Sequence, residues 1–235
     1  MCTVVFIPDR GKYWITSLRD EHPKRVKADL PAIQLSRQMK FKAPIDPQGG
    51  GTWVGLNEGG TAIVLLNGGF KNHLKKAAYA KSRGLIVSDL LSANHPIEYW
   101  LHVGLNEIEP FTLIVWYQHQ LMNLVWDGNN KHQIKMDASR AHIWSSATLY
   151  NDAEKKKRNS AFEKWVSSTS EKSKNTILDF FIHSRDESES IFIRNTPEIV
   201  THSYTCIKIV EQGQHNIFYQ DLIAEEQLFD AIIES

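Results

Sequence analysis

The sequence predicts an α+β protein in which antiparallel hairpins alternate with pairs of helices, the helices lying on the outer faces of sheets. Three observations carry this expectation. Short β-branched and aromatic runs recur along the chain, several joined by turns rich in Gly and Asn. Other stretches show one-sided apolar spacing behind a capping residue. No internal repeat, low-complexity tract or composition shift divides the 235 residues, so a single domain over 1–235 is expected.

Taken in order, Thr3 to Ile7 and Tyr13 to Ser17 flank the polar break Asp9-Arg10-Gly11-Lys12, a hairpin signal. Glu21 to Gln48 carries Pro23, Pro31, Pro44 and Pro47, which predicts an excursion with little regular structure. Thr52 to Leu56 and Thr61 to Leu66 enclose Asn57-Glu58-Gly59-Gly60 and form a second hairpin. Ala77 to Ala93 has helical character, with Ser82 a candidate cap, and a short helix follows His95 with Pro96 at its first position. Phe111 to Tyr117 and Leu121 to Trp126 are strands, the second closed by Asp127-Gly128-Asn129-Asn130, and His142 to Ser146 is another. Asn151 or Asp152 caps a charged helix with a stripe of Phe162, Trp165 and Val166, and Thr176 to Ile182 is a second helix. Ser203 to Glu211 and Asn216 to Tyr219 return to β around a turn at Gln212-Gly213-Gln214.

Composition narrows the partners. With 27 Lys and Arg against 27 Asp and Glu, the chain lacks the clustered positive charge that a polyanion requires, which argues against nucleic acid. The basic runs Lys71 to Lys76 and Lys155 to Arg158 read as solvated surface. No 18-residue apolar run is present, so no membrane insertion is expected. The start lacks a secretory signal, and Cys2 and Cys206 are too few for a disulfide framework, so a cytoplasmic location is expected. The ten histidines show no metal-ligand spacing, and His73, His95 and His102 fall on different elements, so neither a metal nor a cofactor is expected. Trp53, Trp100, Trp116, Trp126 and Trp144 lie in apolar elements and read as core and pocket wall.

Three features could carry chemistry. Methionine is normally trimmed before a residue as small as cysteine, which would make Cys2 the N-terminus with thiol and α-amine on one residue. An amine titrating near ~7.7–8.0 can accept the thiol proton, which is the logic of an N-terminal nucleophile. If Met1 stays, that single-residue arrangement is lost. Second, in the run Ser17-Leu18-Arg19-Asp20-Glu21 an extended strand would turn Leu18 and Asp20 to one face and Ser17 and Arg19 to the other. A carboxylate returned beside residue 2 could hold its amine; a surface ion cluster is the other reading. Third, Asn67-Gly68-Gly69 has the composition of an oxyanion hole, an amide with unobstructed backbone N–H groups, and equally that of a good turn.

These pieces occur in a telling order: Met1-Cys2-Thr3, Ser17 to Glu21, Gly50-Gly51-Thr52-Trp53-Val54-Gly55, Leu65-Leu66-Asn67, Ser82-Arg83-Gly84, Glu109-Pro110-Phe111 and Trp144-Ser145-Ser146. In this the chain resembles the NRDE-motif family, that of the transport and Golgi organisation protein 2, in a bacterial branch. The resemblance covers most of the chain and is most specific over residues 1 to 150. It implies a four-layer αββα sandwich, two antiparallel sheets between helices, like the N-terminal-nucleophile hydrolases. Among these, penicillin V acylase and bile-salt hydrolase cleave linear amides with an N-terminal cysteine, the position on which Cys2 falls. By the same resemblance Asp20 orients the amine and Asn67 supplies the oxyanion donor, making Cys2, Asp20 and Asn67 the catalytic candidates. Arg19, Trp53 and Ser146 are the substrate-binding candidates.

Two functions are therefore expected as alternatives. One is an amide or thioester hydrolase for a small, largely apolar molecule. The other is a non-catalytic carrier or trafficking protein on the same fold, holding haem or an acyl lipid. Either takes a small molecule as its partner, and the sequence sets no oligomeric state.

Overall fold

The computed structural model describes residues 3–35, 39–183, 185–186, 189–190, 192–211, 214–223 and 228–233. In chain order the elements are β1 (Thr3–Asp9), β2 (Lys12–Glu21), β3 (Asp29–Gln34), β4 (Phe41–Ile45), β5 (Val54–Asn57) and β6 (Ala62–Asn67). Helices α1 (Arg83–Ser92) and α2 (Pro96–His102) follow, then β7 (Phe111–Tyr117), β8 (Gln120–Trp126), β9 (Lys131–Met136) and β10 (His142–Ser145). Next come α3 (Asp152–Ser168) and α4 (Lys174–His183), the short β11 (Arg185–Asp186) and β12 (Glu189–Ser190), and β13 (Val200–Val210), β14 (His215–Asp221) and β15 (Leu228–Ile233).

Two antiparallel sheets result. One has six strands in the order β10-β1-β2-β13-β14-β15; the other is a seven-stranded meander from β3 to β9, and β11 pairs β12 in a small ribbon. Arg10 and Gly11 both take positive φ, which lets a two-residue turn join β1 to β2. Strand β6 is buried along Ala62-Ile63-Val64-Leu65-Leu66, because the other sheet covers one of its faces and α1 the other. Val4, Phe6 and Ile15 of the six-stranded sheet pack into the cluster that also holds β6, β7 and α1. Val5, Ile7, Trp14 and Leu18 point the other way, into a cluster with Phe162 of α3 and Ile177, Phe180 and Phe181 of α4. Helices thus flank a pair of sheets, the expected α+β sandwich.

One close approach fixes the link between the meander and α1. The N–H of Thr52 donates to the carbonyl of Gly84 at 3.2 Å. A Cβ added at Gly51 would lie 2.3 Å from the Gly84 backbone, so the Gly51-Thr52 segment crosses the start of α1 where only glycine fits.

The structure departs from expectation in four places. The proline-rich stretch over 21–48 contains β3 and β4, not an irregular excursion. Pro31 is accepted because β3 is an edge strand whose pairing shifts between Asp29 and Ala32, and Pro44 lies beyond the Phe41 and Lys42 that pair β5. The helix expected over 77–93 starts only at Arg83, where the Ser82 hydroxyl accepts the Gly84 N–H. Strands β9 and β15 carry no clear signal in sequence. Finally, Lys155 to Arg158 is not all solvated surface, since Arg158 is buried. The turn expected at Gln212-Gly213 lies outside the described residues.

Candidate functional site

The register of β1 sets the geometry. Thr3 pairs with Leu18 of β2 on one side and Ser145 of β10 on the other. Cys2, immediately before it, lies outside the described residues.

The inter-sheet face of the six-stranded sheet changes character towards this end. In the middle, Phe6, Ile15, Ile207 and Ile217 are apolar. Two residues along, Ser17 pairs Thr205, and two further Arg19 pairs Ser203, all four buried. Among the described residues the hydroxyls of Ser17, Ser203 and Thr205 and the indole N–H of Trp53 have no hydrogen-bond partner. Buried polar atoms left unmade cost about 1–3 kcal/mol each, so this end of the cleft is built for something other than packing.

Arg19 enters that cleft. Its guanidinium stacks on Trp53, 4.5 Å from the ring centroid, and Nη2 donates to Asp46 Oδ2 at 3.0 Å. Arg25 donates to the same oxygen at 2.6 Å, while Oδ1 accepts the N–H groups of Gln48 and Gly49 at 3.0 and 3.2 Å. Burial opposes ionisation of Asp46, yet the Arg25 and Arg19 guanidinium groups and the Gly49 N–H hold its carboxyl below the usual range.

Asp20 turns to the opposite face, as alternation requires. Its carboxylate accepts the Tyr150 hydroxyl at 3.1 Å and the Thr201 hydroxyl. The Tyr150 ring lies 4.1 Å from the Arg158 guanidinium carbon and 4.7 Å from that of Arg194. Arg158 also donates to Ser145 Oγ at 3.1 Å and to the Thr3 hydroxyl, tying α3 to the first residue of β1 and its partner in β10.

Asn67 ends β6, and its carbonyl accepts the Ser146 hydroxyl at 2.9 Å. Its side-chain amide has no hydrogen-bond partner among the described residues and lines a cavity of about 230 Å3. The Gly68 N–H donates to the Pro110 carbonyl at 3.0 Å, so it is already used by the turn and is no free oxyanion donor. Among the described residues no cluster of three or more His, Cys, Asp or Glu could hold a metal ion, and no helix is long and apolar enough to cross a membrane.

The structure therefore brings together Arg19 with Trp53 and Asn67 with Ser146, and sets Asp20 on the other face of β2 from Arg19. Sequence reasoning missed Asp46, Tyr150, Thr201, Arg158 and Arg194. Asp46 carried a signal, since Asp-Pro-Gln-Gly is a turn in which an Asp side chain accepts backbone N–H groups. Tyr150, Thr201 and Arg158 act through contacts more than 100 residues apart in the chain and Arg194 through a ring 44 residues away, where no local pattern marks them.

Two sheets facing each other between helices, with the first strand inside its sheet between β10 and β2 and a polar cleft at its start, define a fold of the N-terminal-nucleophile hydrolase type. The chain belongs to the Transport and Golgi organisation 2 family, whose model matches residues 1–223. Its fold is similar to that of the Caenorhabditis elegans ortholog of N-acylethanolamine-hydrolyzing acid amidase, with a TM-score of 0.59 at 10% identity over 88% of this chain and 92% of that one. A mutant conjugated bile acid hydrolase from Clostridium perfringens superposes with a TM-score of 0.56 at 10% identity, covering 98% and 96% of the two chains. Penicillin V acylase from Agrobacterium tumefaciens follows at 0.51 and 10%, covering 99% and 84%. At these identities the likeness speaks for the fold. No curated protein sequence matches the chain.

Proposed function

We propose that this protein is a cysteine N-terminal-nucleophile hydrolase that cleaves a linear amide or thioester of a small, largely apolar molecule. The observation that supports this most is the buried polar end of the inter-sheet cleft, Ser17, Arg19, Ser203, Thr205 and Trp53, at the end of the sheet where β1 begins.

In this reading the Cys2 thiol gives its proton to its own α-amine and the sulfur attacks the substrate carbonyl, forming a C–S bond. The Asn67 amide holds the oxyanion, a contribution worth about 100- to 1,000-fold in rate for a well-placed donor. The bond to the leaving amine or thiol then breaks, and the proton on the α-amine passes to that leaving group. Water hydrolyses the acyl-enzyme, releasing the acid and restoring the thiol. Arg19, Trp53 and Ser146 bound the substrate, while Asp20, on the other face of β2, acts on the amine only by fixing the strand beside it through the Tyr150 and Thr201 hydroxyls.

Intact mass, thiol labelling and turnover test it together. Burial pushes the Cys206 thiol up to about 11, so iodoacetamide at pH 8 has one reactive target, Cys2. The expected results are loss of Met1, one label per chain, and turnover within a panel of short- to medium-chain acyl amides and thioesters that Cys2→Ala abolishes. Retention of Met1 in nearly all molecules defeats the mechanism. Ligand binding that Cys2→Ala leaves intact, without turnover in the wild type, would assign the carrier role instead.

A further inference from the structure

The cavity of about 230 Å3 beside Asn67 lies between the end of β6, strand β10 and the first two turns of α3. It is smaller than the ~300–1,000 Å3 of sites that enclose a whole small molecule, so it suits one portion of a ligand. Ser145, which lines it, is the direct pairing partner of Thr3. The cavity is therefore one residue removed from the start of β1.

Its polar groups are only partly used within the protein. The side-chain oxygen of Asn123 is buried with no hydrogen-bond partner among the described residues. The Asn67 amide also lacks one. Lys155 and Asn159 lie four residues apart on α3, hence on one face of the helix, and both line the cavity. The ion pair that Lys155 makes is a loose one, 3.8 Å from the fully exposed Asp152. No Asp or Glu lines the cavity, so its one formal charge is positive.

We propose that this cavity is a subsite for an anionic group, a carboxylate or a phosphate, carried on the part of the ligand next to the scissile bond. Lys155 supplies the charge and the neighbouring carboxamides supply hydrogen bonds. A ligand N–H reaching Asn123 would satisfy the buried oxygen. The assignment of the cavity to the substrate's leaving portion rests on the hydrolase reading; the affinity for an anion does not. A negative charge also goes beyond the neutral, apolar substrate that the sequence suggests.

The test compares three amides with one acyl chain: N-octanoylglycine, N-octanoyl-O-phosphoethanolamine and the neutral N-octanoylethanolamine. Calorimetric Kd values are measured on the full chain and on Lys155→Met, whose side chain is 29% exposed on α3. The wild type should bind at least one anionic probe about tenfold more tightly than the neutral one, as a partly solvated charge-assisted hydrogen bond gives. Lys155→Met should erase that difference while leaving the neutral probe unchanged, and the ranking of the two anions identifies the group. Equal binding of all three, no binding of any, or a preference that survives Lys155→Met overturns the proposal. Released amine is assayed in parallel. Anion-selective binding without release keeps the subsite and defeats the hydrolase reading, whereas release without anion preference defeats the subsite alone.

Discussion

Arg19 and Asp20 are consecutive in β2 and serve opposite faces of one sheet. Arg19 reaches Asp46 at 3.0 Å across the inter-sheet cleft, while Asp20 accepts the Tyr150 hydroxyl at 3.1 Å on the helix side. The two faces meet in the backbone of β2, which pairs directly with Thr3. One charged residue therefore shapes the cleft and the other anchors the outer layer.

Removing the charge of Asp46 should be costly. Arg19 is 2% exposed, so Asp46→Asn leaves a buried guanidinium without its counter-charge. We expect a loss of about 3 kcal/mol, or roughly 6–12 °C in Tm for a chain of this size. Arg25 is 28% exposed and its pair is partly screened, so Arg25→Ala should cost less than about 1 kcal/mol. Thermal unfolding of the two variants side by side checks the order, and equal losses would contradict it.

Arg158 should matter to β1 more than its place in a basic run suggests. Arg158→Met keeps much of the packing against Tyr150 and Phe192 but loses the donors to Ser145 and Thr3. Each hydrogen bond to a charged group is worth about 1.5–3 kcal/mol, which places the expected loss at about 3 kcal/mol. Hydrogen exchange should then rise in the first residues of β1 and in β10 while β6 and β7 stay protected. Lys157→Met, on the exposed side of the same helix, should leave both unchanged.

How much of this was legible in the sequence depends on the range of the interaction. The β1–β2 and β5–β6 hairpins, the Ser82 and Asn151 caps and strand β7 are local events, and their residues announce them. The alternation that separates Arg19 from Asp20 is equally local. What each then meets is not: Tyr150 is 130 residues from Asp20 and Thr201 is 181. Prolines misled for a physical reason, because a sheet edge tolerates a residue without an N–H that a central strand would reject. Strand β9 was invisible because Lys131-His132-Gln133-Ile134-Lys135-Met136 is a polar edge strand with no clean alternation.

Gly51 offers a test of the close crossing at the start of α1. A methyl group there would sit 2.3 Å from backbone that cannot move without displacing the helix. Gly51→Ala should therefore cost about 3 kcal/mol, at the upper end of overpacking effects, with soluble yield falling accordingly. Gly50→Ala has open space but a φ of +67°, so its cost should be the smaller one of a strained turn, about 1 kcal/mol. Urea midpoints of the two variants decide the matter, and a harmless Gly51→Ala would mean that α1 does not pack as found.

Acid should weaken the fold first through histidine. Burial lowers the pKa of His202 and Arg19 adds to the effect, against the opposing pull of the His22 carbonyl, to which Nε2 donates at 3.1 Å, and of Glu21 and Asp221. Burial lowers His215 as well. The unfolded chain therefore takes up these protons before the folded one does. Their contribution to stability is complete above the ordinary histidine value near ~6.5 and declines as pH falls below it towards the folded values. The lowered carboxyl of Asp46 adds a second loss only at lower pH, beneath the ordinary carboxylate range. Urea midpoints between about pH 7.5 and 5.5 should fall steadily, and His202→Gln should flatten the slope without abolishing it, since His215 remains. A midpoint that rises on acidification over this window would show that both rings gain a negative partner in the folded state, which is the opposite of their burial.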